Sequence, residues 1–464
     1  MTDSQKLEMS RKPKKPLWRR ILKWTVRIAV VLVVLLIGVW SVWNYVTARS
    51  LRNEINSISA AGAPLTFREL ADTVDKVDEA KDAGPYYAAA LALLRRANQN
   101  ERDEVQKKLN KVVEKASPVP PELLADAQRL NIDNRLTLEM LDRGSAMSGC
   151  NYDIGIEYGI SVCLPRLDSA KKTARIVSLR TKLLALQGQG DKAVDSAISS
   201  LRMLRMFDRQ PVMVCCLVKI ACMSLFSSDV PVILEFGRPS AESLGRLQDA
   251  LEEAEESINL KRMWIAERVY SMEIMRNLIS GGRKLEASGE GSLPMPERWP
   301  SRLASPFART MATRMLRVHA RFITAAGKDW PEVLDAIRAI AAQQSPSAFD
   351  TFGQILTPAF ERTAVILGRT LATVRSARLA IMIERYRHAR GKLPQSLAEI
   401  ETETAQKSPL DPFTGKILIY RKTDDGYKVF SLGDDRKENT HEELNRGDVA
   451  DWGVHIRLLP APPE

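Results

Sequence analysis

The chain is poor in the residues that carry most enzyme chemistry. Its 464 residues include four histidines, His319, His388, His441 and His455, and five cysteines. A zinc-peptidase helix needs two histidines one turn apart on one face. The nearest approach is "HEELN" at His441, where Asn445 stands in place of the second ligand. There is no G-x-S-x-G elbow and no phosphate-binding G-x-x-x-x-G-K-[ST] loop, and no nucleophile–base pair can be nominated. Glu267 in "WIAERVY" is the one carboxylate singled out, either buried or salt-bridged on a partly exposed helix face. Five cysteines are too few for a disulfide framework. Cys150 and Cys163 flank the loop-like "NYDIGIEYGISV"; they either pair in an oxidising compartment or remain free thiols. Cys215 and Cys222 are seven apart in "VMVCCLVKIACMSLF", share a helix face, and read as small buried apolar groups.

Acidic residues are also scarce at the N-terminus. Residues 1–48 hold nine basic residues and two acidic ones (Asp3 and Glu8), which accounts for +7 of the net +11. The remaining chain is close to balanced, so a nucleic-acid footprint on the body is not expected. The 21 residues from Ile28 to Ala48, "IAVVLVVLLIGVWSVWNYVTA", carry no charge. A membrane-spanning helix needs about 20. Trp18 and Trp24 precede the run, and Trp40, Trp43 and Tyr45 close it, as interfacial rings do. The expectation is a basic cytoplasmic tail over 1–27 and a transmembrane helix over 28–48 in the inner membrane. The N-terminus is then inside and the body extracytoplasmic. A cleaved signal peptide ending at Val46-Thr47-Ala48 is the alternative. The long apolar run and its far-side aromatics favour an anchor. With no second comparable run, the chain reads as single-pass.

The body, 49–283, reads as helical. "PYYAAALALLRRA" begins with Pro85, suited to a first turn, and Ser117 with its prolines marks another helix entry. Residues 168–207 form two helices joined at "GQGD". Gly188 and Gly190 supply the stop, Asp191 a cap, and Ala193 and Ala197 permit close approach. This segment resembles a tetratricopeptide-type hairpin, though no 34-residue period recurs to make a solenoid. "PVMVCCLVKIACMSLF" reads as a buried third helix. Residues 240–279 read as one long helix, with no proline or glycine for over 30 residues. Residues 284–304, rich in Gly, Pro, Ser and Glu, read as a linker or mobile loop, and 305–357 as a further helical segment. A final helix is expected from Pro358 to Arg390, with Ala364, Leu367, Leu371, Val374 and Ile381 on one buried face. Gly391 and Pro394 stop it.

The chain then changes character. "KILIYRK" (416–422), "YKVFS" (427–431) and "WGVHIRLL" are strand candidates, with Asp425-Gly426 as the hairpin signal. Asp411, Pro412, Phe413, Gly415, Tyr420, Gly426, Tyr427, Phe430, Ser431, Gly433, Asp435 and Asp448 follow in order after the long helix. This string resembles the C-terminal half of G-type pseudopilins of type II secretion, over about a fifth of the chain. The whole is similar to uncharacterised single-pass bacterial envelope proteins carrying such a tail. The resemblance implies a small α+β module and a loop that holds calcium through Asp434, Asp435 and Asp448. It also meets departures. The loop centre is replaced by "RKENTHEEL", whose Arg436 and Lys437 repel a cation. More than 300 residues separate the module from the apolar helix, and no prepilin-type leader with a Gly-Phe site is evident. Pilus assembly is therefore not expected.

The expected fold is mainly α, with an N-terminal transmembrane helix, a helical-hairpin body and a pseudopilin-like module over 358–464. The expected function is a non-enzymatic membrane-anchored extracytoplasmic scaffold or interaction protein with envelope protein partners. A peptide- or small-ligand-binding or sensing protein is the alternative, and a hydrolase ranks third.

Overall fold

The computed structural model describes residues 17–74, 77–94, 99–115, 117–155, 160–280, 305–343, 351–404, 406–439, 444–445 and 450–459. The expected linker over 284–304 lies outside the described residues. The chain is mainly helical, with one three-stranded antiparallel sheet near the C-terminus.

The N-terminal helix Leu17–Ala60 runs unbroken for 44 residues, about 66 Å at 1.5 Å per residue. From Leu22 to Val39 its side chains are exposed. Inward-turned positions begin at Trp40 and recur at Asn44, Thr47, Leu51, Glu54 and Ile58, the three-to-four spacing of a packed helix face. That face lies on the helix Ser305–Ala325. Asn44 Oδ1 accepts from Arg309 Nη1 at 2.6 Å and from Ser305 Oγ at 3.2 Å, and Arg317 Nε meets Glu54 Oε1 at 2.7 Å. The contacts advance in the same direction on both chains, so the two helices run parallel. Leu51, Met272, Met275, Met311, Met315 and Leu316 fill the space between them and the helix Leu260–Ser280.

The hairpin expected over 168–207 is present as Ile160–Leu186 and Gly190–Met203. Gly188 turns the chain at φ +71°. Ala193 and Ala197 are buried as expected. Asp191 departs from expectation. It does not cap its own helix; its Oδ1 instead accepts from the backbone N–H and hydroxyl of Ser240 at 2.8 and 2.9 Å, tying the hairpin to the next helix entrance. The third helix, Met213–Ser227, carries Cys215 and Cys222 into the core. It belongs to Met213–Gly237, the second of two segments among the described residues that are apolar enough to cross a membrane, but more than half of that window is buried inside the protein, as a core helix would be. All five cysteines are free. Cys150 and Cys163 do not pair; Cys163 sits in the helix that begins at Ile160 and is buried, so the expected loop is shorter than the sequence suggests.

The single helix expected over 240–279 is two, Ala241–Glu256 and Leu260–Ser280. The break needs neither glycine nor proline. Ser257 Oγ donates to Ala254 O at 2.7 Å, and Asn259 Oδ1 accepts the Arg262 N–H at 2.8 Å. Side chains that hydrogen-bond local backbone end one helix and start the next. The last long helix, Thr351–Arg390, begins before Pro358, which lies inside it. Its expected face is buried at Ala364, Leu367, Leu371, Val374 and Ile381, and it passes through both large hydrophobic clusters.

The sheet consists of β1 (Ile419–Thr423), β2 (Gly426–Ser431) and β3 (Trp452–Arg457), in that order. Thr423 opposes Gly426, so Asp424 and Asp425 form a two-residue turn. β1 starts later than Lys416 because residues 411–416 are a closed turn: Asp411 N–H donates to Lys416 O at 2.7 Å, and Gly415 N–H to Asp411 O at 2.8 Å. Tyr427, Val429, Val454 and Ile456 join the same core as the helical hairpin. The Tyr427 hydroxyl reaches the long helix at Ala380 O and Glu384 Oε1, 3.2 and 3.0 Å away.

Candidate functional site

Several described residues of the terminal string meet one another, and their contacts are architectural. Asp411 Oδ1 accepts from Phe413 N–H at 2.8 Å and Ser431 Oγ at 2.7 Å, while Oδ2 accepts from Leu432 N–H at 3.2 Å. One buried carboxylate thus joins the Asp-Pro-Phe turn to the end of β2. Phe413 packs against Gly368, where a Cβ would come within 2.9 Å of its ring. Tyr420 and Tyr427 meet edge-on at 5.9 Å. Gly415 and Gly433 take φ of +70° and +68°, a region open to glycine at little steric cost.

The expected calcium ligands are placed differently. Asp434 Oδ1 lies 2.9 Å from Arg369 Nη2 and 3.1 Å from its Nε; Arg338 approaches Oδ2 at 3.8 Å. Arg369 also stands over the Trp452 ring at 5.0 Å. Asp435 accepts from Lys437 N–H at 3.1 Å and Asn439 Nδ2 at 3.4 Å. Asp448 and His441 lie outside the described residues. Calcium takes six to eight oxygens. A carboxylate already held by two guanidinium groups is a poor member of such a set, so the described part of the loop does not fit the ion. Among the described residues no group of three or more His, Cys, Asp or Glu could hold a metal.

Of the remaining titratable residues, Glu267 is buried, and its Oε2 accepts the Met213 N–H at 2.9 Å. Burial pushes its carboxyl up to about 7. His319 is wholly buried, with Nδ1 2.9 Å from Met315 O and its ring edge-on to Phe360; burial pushes it down to about 4. His455 faces Asp425 at 3.0 Å on the far side of the sheet. His388 is exposed near the helix end, and Tyr386 donates to Glu399. These groups are dispersed and do not converge on one reacting centre.

The structure does form a cavity that the sequence did not disclose. It measures about 280 Å³ and opens beside the break between Ala241–Glu256 and Leu260–Ser280. Its apolar wall is Phe207, Pro211, Ile220, Leu260, Met263 and Leu367. Its polar wall includes Asp208, Lys219, Ser257, Asn259 and Arg262, with Glu256 exposed at the rim. Lys219 is only 5% exposed; its Nζ lies 2.5 Å from Asp208 Oδ1, 2.7 Å from Ser257 Oγ and 3.1 Å from Ser257 O. All three ammonium protons therefore have acceptors. Arg262 differs: its Nε and Nη2 are buried with no hydrogen-bond partner, and desolvation pulls the guanidinium down from its usual range. The available signal in sequence was "SIN" at 257–259, two helix-capping residue types inside an otherwise helical run.

No family model, curated protein or solved structure matches the chain.

Proposed function

We propose that the chain is a membrane-anchored extracytoplasmic interaction protein, a scaffold held at the inner membrane with its N-terminus in the cytoplasm. One observation carries this reading: the N-terminal helix is exposed from Leu22 to Val39, uncharged from Ile28 to Ala48, and continues without a break into the packed face from Trp40 to Ile58. A bare apolar helix of this length suits a bilayer core about 30 Å thick. The continuity would hold the body upright at a set distance from the membrane, which suits a protein that presents surfaces to partners. The terminal module is read as pseudopilin-like. Support comes from the way its string of residues closes on Asp411 and packs along one long helix.

Protease protection in spheroplasts, with epitope tags at each end, tests the topology. Loss of the C-terminal tag alone is expected; loss of the N-terminal tag alone reverses the orientation and ends this reading. Crosslinking before detergent extraction tests the role, with a stoichiometric envelope partner as the expected product. Recovery of the chain alone counts against a scaffold.

A second reading, binding of a small ligand, is favoured by the cavity beside Arg262.

A further inference from the structure

We infer that the cavity beside the Ser257–Asn259 break binds a small organic carboxylate, its head on Arg262 and its tail on the apolar wall. The inference rests on the ligand-binding reading and names the ligand class.

Four observations converge. Arg262 lines the cavity, and its Nε and Nη2 lack any partner; both are closed to solvent as the side chain stands, so they meet an occupant by a turn of the guanidinium into the cavity. Those two N–H groups form the guanidinium edge that matches two carboxylate oxygens. A buried donor left unmade is expensive, and among the described residues Arg262 is the arginine whose Nε and Nη2 are both so left.

The neighbouring cation is already committed. Lys219 spends its donors on Asp208 and Ser257, which neutralises Asp208 and anchors the floor. Arg262 is thus the positive group without a hydrogen-bonded carboxylate, although the charge of Asp208 also acts on it, and Glu256 is exposed to solvent at the rim.

The site also sits at the N-terminal end of Leu260–Ser280, a helix of 21 residues. Its first turn adds partial positive charge. Arg262 belongs to that turn, and Asn259 holds it in place through the Arg262 backbone N–H.

The opposite wall excludes a purely inorganic ion as the best occupant. Phe207, Pro211, Ile220, Met263 and Leu367 offer hydrocarbon surface that phosphate cannot use. Burying an alkyl chain there favours an occupant with a hydrocarbon tail. At about 280 Å³ the cavity falls at the small end of ligand sites, so the acid is a short one.

Isothermal titration of the full chain in nanodiscs, with empty nanodiscs as the blank, tests the inference. The probes are hexanoate, hexanol, hexylammonium and inorganic phosphate. Saturable hexanoate binding is expected, with the other three at least about tenfold weaker. Arg262→Gln should weaken hexanoate at least about tenfold, and Arg262→Lys, which keeps the charge but loses the two-pronged edge, should recover only part of it. Hexanol equal to hexanoate overturns the carboxylate but leaves a ligand site. Phosphate tighter than hexanoate overturns the choice of an organic acid. Silence from all four probes removes both the inference and the ligand-binding reading. If Arg262→Gln does not fold, as its melting curve will show, the head-group series on the native chain decides alone.

Discussion

Arg457 on β3 and Glu235 in the π-helical turn Ile233–Gly237 form a two-pronged ion pair between residues 222 positions apart. Nη2 lies 2.6 Å from Oε2 and Nε 3.1 Å from Oε1, and the Arg457 backbone N–H adds a third bond at 2.9 Å. The guanidinium also donates to Glu114 O and Val113 O, each at 2.8 Å. This one side chain therefore ties the terminal sheet to two separate parts of the helical body. Burial pushes the Glu235 carboxyl up, against the pull of Arg457.

Removing Arg457 should strand a buried carboxylate. Arg457→Ala is expected to lower stability by about 3–5 kcal/mol. Replacing both partners, as Arg457→Met with Glu235→Leu, should lose less than that single change, because no unpaired charge remains. Urea denaturation of the three variants gives the comparison; a single variant within about 1 kcal/mol of the parent would show that the pair is not a clamp.

Close backbone contact makes a second prediction. A Cβ on Gly190 would stand 2.3 Å from Gly237 O, whereas one on Gly38 would meet nothing within 4 Å. Gly190→Ala must push the hairpin away from the π-helical turn and should destabilise by about 1–3 kcal/mol. Gly38→Ala should leave stability of the body unchanged. Equal melting temperatures for the two variants would sink the packing argument.

Two buried groups titrate in opposite senses. Glu267 is raised from 4.5 to about 7 in the folded chain, so the native state holds its proton more tightly than the unfolded one. Its contribution to stability is fully present below about pH 4.5 and is lost as pH rises to about 7. His319 is lowered from 6.5 to about 4, so its contribution is fully present above about pH 6.5 and is lost as pH falls to about 4. Between pH 4.5 and 6.5 the two contributions cancel. Glu267→Gln should expose the histidine alone, with stability rising by up to about 1.4 kcal/mol per pH unit. His319→Leu should expose the carboxyl, with stability falling over the same range. Parallel pH profiles for parent and both variants would contradict this assignment.

The loop around Asp434 should ignore calcium. Arg369 and Arg338 compete for its carboxylate, so adding calcium or a chelator is expected to leave the melting temperature of the full chain in place. Asp434→Ala should lower stability by about 1 kcal/mol, as loss of a partly exposed ion pair does. A calcium-dependent rise of several degrees in the parent that vanishes in the variant would reverse the conclusion.

Helical content, the long apolar N-terminal segment and the three strands were legible because they rest on local signals: periodicity, charge-free length and turn chemistry. The buried faces of Thr351–Arg390 and Met213–Ser227 followed from the same spacing rule. The break at Ser257–Asn259 was harder to see, since its serine and asparagine act through individual backbone bonds rather than through a proline or glycine. The cavity depends on that break, so it stayed hidden as well.

Neighbours along the chain set most helix and strand segments and the exposed apolar surface of the N-terminal helix, which is why local signals revealed them. Tertiary structure alone decided where charges meet. Asp191 left its own helix for Ser240, Asp434 went to two arginines, and Arg457 crossed 222 positions to Glu235. Such partners are chosen by packing of the core, which brings distant residues within hydrogen-bond reach and, among the described residues, leaves both Nε and Nη2 of Arg262 without a partner.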